Sequence, residues 1–155
     1  MNTYRDRKGK YHKKPKEITS KKRESAYGIF IEDKKVLCVK PTWASLWEFP
    51  GGGKKEKESI TDALKRELSE ETGHELITYD KKPIQTMQTK FYADDLNKYF
   101  DSTMHFFTIK KMGTQNKDMI NNKEIVEVAM VPIANLTKSN THNIHLEVLH
   151  QIAKR

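Results

Sequence analysis

The segment from Gly52 to Gly73 reads GGKKEKESITDALKRELSEETG and predicts a short helix with an unusual inner face. At about 100° per residue its apolar side chains fall in one arc, which is formed by Ile60, Ala63 and Leu64. Glu67 and Glu71 lie in the same arc, and Glu70 lies at its edge. Three carboxylates therefore converge on the side of the helix that should face the protein interior.

Like charges at this spacing repel one another, so the cluster needs compensation. Glu-rich helical runs are commonly solvated, but here the polar residues Asp62, Lys65 and Ser69 point to the opposite side. A bound divalent cation is the natural compensation, and carboxylate oxygens suit Mg²⁺ or Mn²⁺. Because Mg²⁺ keeps coordination positions for water and substrate phosphate, the helix predicts a phosphate-handling site.

The predicted helix has clear ends. Ser59 and Asp62 form an S-x-x-D capping box, which places the start of the helix near Ile60. Gly73 directly follows the last helical residue and is a typical C-cap. The helix is therefore predicted to be short and sharply bounded.

A run of three glycines, Gly51 to Gly53, precedes this helix. Residues 47–50 (Trp-Glu-Phe-Pro) predict a short strand that leads into it. Glycine allows the backbone to approach a ligand closely and to adopt unusual torsions, although such a run is also typical of a simple turn. Together with the acidic helix, the glycines predict a loop–helix–loop unit that binds phosphate.

These residues resemble the Nudix box, G-x5-E-x7-R-E-U-x-E-E-x-G-U, in which U is a bulky apolar residue. The match runs from Gly52 to His74, and its matching positions are Gly52, Glu58, Arg66, Glu67, Leu68, Glu70, Glu71 and Gly73. Only His74 departs from the pattern, which favours an aliphatic residue there. Residues 47–52 are also similar to the family, so the chain resembles the MutT-like Nudix hydrolases.

The resemblance implies an α/β fold, the Nudix α/β/α sandwich with a mixed sheet and a loop–helix–loop catalytic motif. It also implies hydrolysis of a nucleoside diphosphate linked to another moiety, with Mg²⁺ as the cofactor and Mn²⁺ as the alternative. The implied metal ligands are Glu67, Glu70 and Glu71. Glu67 and Glu70 are candidates for the general base, and a downstream acid, Glu124 or Glu127, is a further candidate.

Other site residues are expected around this motif. Arg66 precedes Glu70 by four residues, so we expect it to orient that carboxylate through an ion pair. Glu58 is expected to support the loop or an additional metal ion. The predicted substrate-binding residues are Trp43, Gly51, Gly52 and Glu127, and Trp43 is the one that could stack on a base.

Positive charge is concentrated at the start of the chain. Residues 1–24 hold ten Lys or Arg and three Asp or Glu, a net charge of +7 out of +8 for the chain. We expect a basic N-terminal extension at 1–24 and a Nudix hydrolase domain at 25–155. The extension is either solvated or attracts polyphosphate and nucleic acid. Tyr4 and Tyr11 around Lys8-Gly9-Lys10 also suggest a short hairpin.

Composition narrows the cellular context. The single cysteine, Cys38, excludes an internal disulfide and is expected to be buried and unreactive. No apolar run is long enough to span a membrane, and the N-terminus has no apolar signal core. We therefore expect a cytoplasmic protein with no membrane partner. Dimers are common in the Nudix family, so a homodimer is a candidate assembly.

Hydrophobic periodicity predicts the remaining elements. Strands are predicted at 26–32, 35–40, 46–50, 76–79, 84–92, 103–111 and 125–131, with a tight turn at Asp33-Lys34. A final helix is predicted at 143–154. His142, His145 and His150 lack convincing metal-ligand spacing, so we interpret them as helix-start and surface residues.

Three functions remain open at this level. The preferred one is a pyrophosphohydrolase that acts on a free nucleotide, either a nucleoside triphosphate or a nucleoside diphosphate derivative. The second is an RNA 5′-pyrophosphohydrolase whose basic extension grips the RNA backbone. The third is a non-catalytic nucleotide-binding module, which the complete set of carboxylates disfavours.

Overall fold

A computed structural model describes residues 2–153 as two β-sheets and two α-helices. The larger sheet has seven strands, in the order β2–β1–β8–β9–β3–β6, with β7 paired to the far part of β9. The smaller sheet has the order β10–β5–β4. The strands are β1 (Thr3–Arg5), β2 (Tyr11–Lys13), β3 (Lys21–Ile29), β4 (Ile31–Glu32), β5 (Lys35–Pro41), β6 (Gly51–Gly53), β7 (Leu76–Tyr79), β8 (Gln85–Ala93), β9 (Lys98–Met112) and β10 (Ile125–Pro132).

Two helices cover opposite faces of the large sheet. The helices are α1 (Ile60–Thr72) and α2 (Asn143–Ala153). Neighbouring residues of β3 and β9 alternate between the two sides, so Ala26 and Phe107 pack with α1, whereas Tyr27 and Phe106 pack with α2. Because both faces are covered, Phe106 and Phe107 are both buried. The predicted α/β/α sandwich with a mixed sheet is thus confirmed.

Helix α1 has the predicted bounds. The Ser59 hydroxyl accepts a hydrogen bond from the Asp62 N–H at 3.1 Å, which satisfies a free donor of the first turn. Gly73 adopts the left-handed conformation with φ of 75° and donates its N–H to the Ser69 carbonyl. His74 is the one residue that differs from the Nudix box pattern. Its Nδ1 lies 2.8 Å from the Gly113 carbonyl oxygen. The polar ring therefore ties the end of the helix to the chain after β9.

The strand prediction for residues 26–32 was wrong in extent. β3 begins earlier, at Lys21, and ends at Ile29, while β4 is a separate strand. The break is needed because β3 pairs with β9 in the large sheet, whereas β4 pairs with β5 in the small one. The predicted turn is present, with positive φ at Asp33 and Lys34, as a tight hairpin turn requires.

The predicted strand at 46–50 is also absent. Trp47 and Glu48 form only isolated bridges, and the regular strand is instead the glycine run β6, which pairs with β3. Pro50 has no N–H to donate, so the ladder starts after it. Gly51 faces β3 so closely that an added Cβ would lie 2.1 Å from the Ala26 carbonyl oxygen. The glycines thus serve close strand pairing as well as the loop before α1.

The basic N-terminal segment is ordered along the edge of the large sheet. β1 and β2 form an antiparallel hairpin, and β1 joins β8 in parallel with Arg5 opposite Phe91. Tyr4 is buried, with its ring edge-on to Tyr99 at 5.2 Å. Strand β3 runs through residues 24 and 25, so the expected boundary between extension and domain falls inside a continuous strand.

Two histidines at the start of α2 correct the surface assignment, since His142 directly precedes the helix and His145 lies in its first turn. His142 and His145 are buried, while His150 is exposed. Their rings stack at 4.1 Å, and His145 Nδ1 accepts the Phe49 N–H at 3.0 Å. Burial holds the pKa of His145 down to about 3, so it is a neutral core ring. The sequence pattern missed this because an imidazole can replace an apolar side chain only where a specific backbone partner exists.

Other predictions of burial are confirmed. Cys38 is buried in β5, and desolvation raises the pKa of its thiol to about 12, which makes it unreactive. Neither α1 nor α2 is long and apolar enough to cross a membrane.

Candidate active site

A cavity of about 200 Å³ lies where α1 meets the glycine strand β6. Gly51, Gly52 and Gly53 form one side of it, and Glu67 and Glu71 of α1 project into it. The lining also includes residues from other segments of the chain, which are Arg7, Trp43, Glu48, Phe91, Glu124 and His142. Backbone, carboxylates and flat rings therefore surround one small space.

Glu71 is the most deeply buried carboxylate of the site. Only 6% of the residue is exposed, and it accepts a hydrogen bond from the Gly51 N–H at 2.7 Å. Burial, together with the charge of Glu67, raises the pKa of Glu71 well above its usual range. A buried carboxylate with a carboxylate neighbour is a site prepared for a cation.

Glu67 lies next to the glycine strand. An added Cβ at Gly52 would lie 2.8 Å from Glu67 Oε1, so only glycine leaves room for this carboxylate. Arg66 Nη1 donates to the same oxygen at 2.9 Å. Desolvation raises the pKa of Glu67, and the Arg66 guanidinium partly offsets this shift.

Arg66 connects the acidic residues around the site. Its Nε and Nη2 donate to the two oxygens of Glu58 at 2.8 and 2.9 Å, and Nη2 also reaches the Gly53 carbonyl at 3.0 Å. The predicted ion pair with Glu70 is present, at 3.3 Å. Hydrogen bonding to Arg66 lowers the pKa of Glu58 to about 2. Glu58 thus anchors the guanidinium, and the guanidinium holds the loop and the helix together.

The predicted site residues are only partly brought together. Trp43, Glu67 and Glu71 line the cavity with the glycines, but Glu70 is not part of its lining and its side chain is 42% exposed. Glu127 also lies outside the lining, because its half-exposed side chain on β10 points to Lys40 at 3.9 Å. Glu124, the other downstream acid, does line the cavity.

A second, larger groove adjoins this cavity. It has a volume of about 1000 Å³ and lies along the starts of β3 and β9. Its basic lining residues are Lys21, Lys22, Arg23, Lys54 and Lys90, against the acids Glu24 and Asp101. Arg23 and Gly53 line both spaces, so the groove continues from the candidate active site.

Comparison with known proteins agrees with this geometry. The model of the NUDIX domain family matches residues 22–152, which is most of the chain. The chain belongs to the Nudix hydrolase family. As a Nudix hydrolase it is an enzyme that acts on pyrophosphate bonds.

One relative and two solved structures illustrate this membership. The 8-oxo-dGTP diphosphatase of Buchnera aphidicola subsp. Schizaphis graminum is 30% identical over 131 residues, which cover 82% of this chain and 90% of that protein. A MutT Nudix hydrolase from Burkholderia pseudomallei shares the fold with a TM-score of 0.66 at 16% identity, covering 83% of this chain and 98% of the other. A Nudix hydrolase from Nitrosomonas europaea shares the fold with a TM-score of 0.68 at 17% identity. The match covers 86% of this chain and 90% of the other.

The donor set of this Nudix hydrolase suits a divalent cation. Among residues 2–153 no three His, Cys, Asp or Glu side chains are already arranged as a metal site. Glu67 and Glu71 nevertheless face one cavity, and the charge of Glu67 raises the pKa of Glu71 further. Both are hard oxygen ligands that need a positive partner, so the residues present fit Mg²⁺ or Mn²⁺.

Sequence reasoning missed Arg7, Glu48 and His142 as cavity residues of the Nudix hydrolase. Arg7 is far away in sequence, and only the docking of the hairpin brings it to the site. Glu48 carried a signal, because it is an acid between the apolar residues Trp47 and Phe49, and desolvation raises its pKa to about 7. His142 shows no local pattern that separates it from a surface histidine.

Proposed function

We propose that the protein is a Mg²⁺-dependent pyrophosphohydrolase of free nucleotides, with nucleoside triphosphates as the preferred class and nucleoside diphosphate derivatives as the alternative. The observation that carries the proposal is that the buried carboxylate of Glu71 and the partly buried carboxylate of Glu67 face the glycine strand in one cavity. The relative named 8-oxo-dGTP diphosphatase makes an oxidised guanine nucleotide the first substrate to test.

In the proposed mechanism Glu67 and Glu71 would hold the cation, and Glu70 would be a third ligand if its side chain turned from Arg66 toward the cavity. When bound, Mg²⁺ supplies charge neutralisation of the pyrophosphate and activation of water. The glycine strand lies beside the carboxylates, where the lack of side chains lets a phosphate group approach the backbone. Arg66 donates to Glu67 at 2.9 Å and to Glu70 at 3.3 Å, and the shorter contact positions the Glu67 carboxylate beside the glycine strand.

The general base must reach a water molecule in the same cavity. Glu67 is the first candidate because it faces the cavity and desolvation raises its pKa, which makes the ionised carboxylate a stronger base. Glu124 is the second candidate, since it lines the cavity and belongs to a different segment from the metal ligands. Glu70 and Glu127 are placed less well for this role in the present geometry.

The test is product formation from a panel of nucleotides with and without Mg²⁺. The panel contains normal and oxidised nucleoside triphosphates, nucleotide sugars, ADP-ribose and dinucleoside polyphosphates, and chromatography identifies the bond that is cleaved. Turnover that needs Mg²⁺ and disappears in Glu71→Gln would support the proposal. Tight nucleotide binding without any turnover would instead indicate a binding module.

A second candidate function, removal of phosphates from RNA 5′ ends, is favoured by the basic groove. Its lining carries five Lys or Arg against two acids, and Arg23 and Gly53 connect it to the cavity. A 5′-terminal triphosphate in the cavity would leave the following nucleotides over this groove, where phosphates meet positive charge. Lys22→Glu combined with Lys90→Glu should weaken salt-dependent RNA turnover and leave free nucleotide turnover unchanged. Equal effects on both substrates would contradict this candidate.

A further inference from the structure

Arg23 lies where the active-site cavity meets the basic groove. Among residues 2–153, only Arg23 and Gly53 line both spaces. Arg23 and Tyr27 lie four residues apart on β3, so their side chains are on the same side of the sheet, and Tyr27 also lines the cavity. The junction between the two spaces therefore carries a positive charge.

Packing holds the Arg23 guanidinium in place. A Cβ added at Gly53 would lie 3.1 Å from Arg23 Nε and 3.3 Å from Nη2, so the guanidinium lies directly against the glycine strand. Its Cζ also lies 5.5 Å from the centroid of the buried Phe100 ring. These contacts fix the position of the guanidinium without using its N–H donors.

Arg23 differs from the other described arginines in having no carboxylate partner. The other arginines of residues 2–153 each form at least one ion pair, and these are Arg5 with Glu147, Arg7 with Glu48, Asp94 and Asp95, and Arg66 with Glu58, Glu67 and Glu70. Within the same part of the chain Arg23 forms no ion pair and donates no hydrogen bond, although its surroundings partly cover it. A partly covered guanidinium with free donors suits an anion that arrives with the ligand.

The cavity is too small to enclose a whole nucleotide. Its volume is about 200 Å³, whereas sites for ligands of that size usually measure about 300–1,000 Å³. A substrate bound at Glu67 and Glu71 must therefore extend beyond the cavity. The groove of about 1000 Å³ that adjoins it at Arg23 provides the room, and five of its lining residues are Lys or Arg. We therefore expect the part of the substrate that extends there to be anionic.

Three consecutive phosphate groups match this arrangement. A pyrophosphate linkage held by a cation at Glu67 and Glu71 uses two of them. In a triphosphate the third group adjoins this linkage, whichever of the two linkages is cleaved. A guanidinium can bind that group through two parallel N–H donors. Nucleotide sugars and ADP-ribose have only two phosphates, so they have no third group for Arg23.

We propose that Arg23 is a specificity-determining residue that binds the third phosphate of the substrate at the junction of the cavity and the groove. It thereby favours compounds with three or more consecutive phosphates over nucleoside diphosphate derivatives. This inference rests on the proposed pyrophosphohydrolase function and chooses between the two substrate classes that the function includes. The chemistry recognised is the triphosphate unit, which a free nucleotide and an RNA 5′ end share.

The experiment measures selectivity for the third phosphate by binding and by turnover. Calorimetry with Mg²⁺ gives the Kd of imidodiphosphate and of diimidotriphosphate, which carry no base and whose P–N–P links resist hydrolysis. Kinetics give kcat/KM for dGTP relative to dGDP, and for a 5′-triphosphorylated RNA dinucleotide. The variants are Arg23→Gln and Arg23→Lys. Lys21→Gln is the matched control, because it removes a charge of the groove from the same strand but lies outside the cavity lining.

We expect the wild type to bind diimidotriphosphate about 10- to 100-fold more tightly than imidodiphosphate, as for one charge-assisted contact. Arg23→Gln should lose most of this gain and the same factor of selectivity for dGTP over dGDP, while the Kd of imidodiphosphate stays nearly unchanged. Arg23→Lys keeps the charge but not the planar fork, so it should retain part of the gain, and it also covers the case that Arg23→Gln fails to fold. Lys21→Gln should retain nearly all of it.

Four results would overturn the inference. The first three are equal binding of the two analogues by the wild type, an unchanged gain in the folded Arg23 variants, and an equal loss in Lys21→Gln. The fourth is a loss confined to the RNA substrate, because a backbone phosphate and not the third phosphate would then lie at Arg23.

The inference and the proposed hydrolysis can fail separately. A protein that loses the gain in Arg23→Gln but hydrolyses no nucleotide would support the inference and contradict the hydrolysis. Turnover that needs Mg²⁺ and Glu71 but does not depend on Arg23 would do the reverse.

Discussion

The Glu71 carboxylate accepts a hydrogen bond from the Gly51 N–H at 2.7 Å, which joins the catalytic helix α1 to the glycine strand β6. The carboxylate is buried, and the neighbouring charge of Glu67 adds to the cost of its ionisation. The same contact therefore organises the site around a buried carboxyl group whose ionised form needs a cation to balance it.

Glu71→Gln should separate activity from stability. Gln can still accept the Gly51 N–H but carries no charge, so kcat/KM should fall by at least about 100-fold. In EDTA at neutral pH the Tm should be equal to or above that of the wild type, because a buried charge has been removed. Mg²⁺ should raise the Tm of the wild type only. Glu56→Gln, at an exposed position before α1, is the control, and wild-type activity in Glu71→Gln would contradict the assignment.

Gly52→Ala should mainly lose activity, whereas Gly51→Ala should mainly lose stability. A Cβ at Gly52 meets the end of the flexible Glu67 side chain at 2.8 Å, so Glu67 can move aside and stability should change by less than about 1 kcal/mol. Activity should be lost, because Glu67 then leaves its position. A Cβ at Gly51 meets the Ala26 backbone at 2.1 Å, and urea unfolding should show a loss of about 1–3 kcal/mol. Equal stability of the two variants would show that the contacts with β3 do not matter.

Arg66→Lys tests whether the hydrogen bonds from Arg66 to the surrounding carboxylates are needed for stability and activity. Lysine keeps the charge but cannot bind both Glu58 oxygens and still reach Glu67 and Glu70. The free energy of unfolding should fall by about 1–3 kcal/mol, and kcat should fall with it because the carboxylates lose their fixed positions. Lys65→Gln, exposed on the outer side of α1, is the control and should change neither quantity. Full activity of Arg66→Lys would limit Arg66 to a role as a simple counter-charge.

Glu58 should make stability sensitive to acid. Its pKa in the folded protein is lowered from 4.5 to about 2 by the hydrogen bonds from Arg66. The ionised carboxylate therefore stabilises the fold above pH 4.5, and this contribution disappears as the pH falls toward 2. The difference in Tm between wild type and Glu58→Gln should be largest at neutral pH and should shrink across this range. A difference that does not depend on pH would exclude the ion pair as its source.

Local sequence patterns were sufficient for the elements whose stability comes from nearby residues. Ser59 and Gly73 define the ends of α1 through caps that lie within a turn of the helix, and both contacts are present. The Arg66–Glu70 ion pair was also predictable, because residues four apart on a helix are neighbours. The helix face and its carboxylates follow from the same periodicity.

Local sequence patterns gave wrong predictions for residues whose structural partners are distant in sequence. The glycine run was predicted as a loop, yet it becomes strand β6 because β3 offers a free edge. His142 and His145 were predicted as helix-start and surface residues, and they do lie at the start of α2, but both rings are buried and stack on each other. In both cases the burial of the residue depends on elements that local spacing does not encode.

The sequence by itself determined the family, the bounds of helix α1 and the sandwich of strands and helices, because capping, helical periodicity and the Nudix box are all local in the chain. Only the tertiary structure decided which carboxylates share the cavity, with Glu67, Glu71 and Glu124 inside its lining and Glu70 and Glu127 outside. It alone brought Arg7 from the N-terminal hairpin to Glu48. Such long-range contacts form only when sheet pairing and core packing fix the relative positions of whole elements, so no short pattern can predict them.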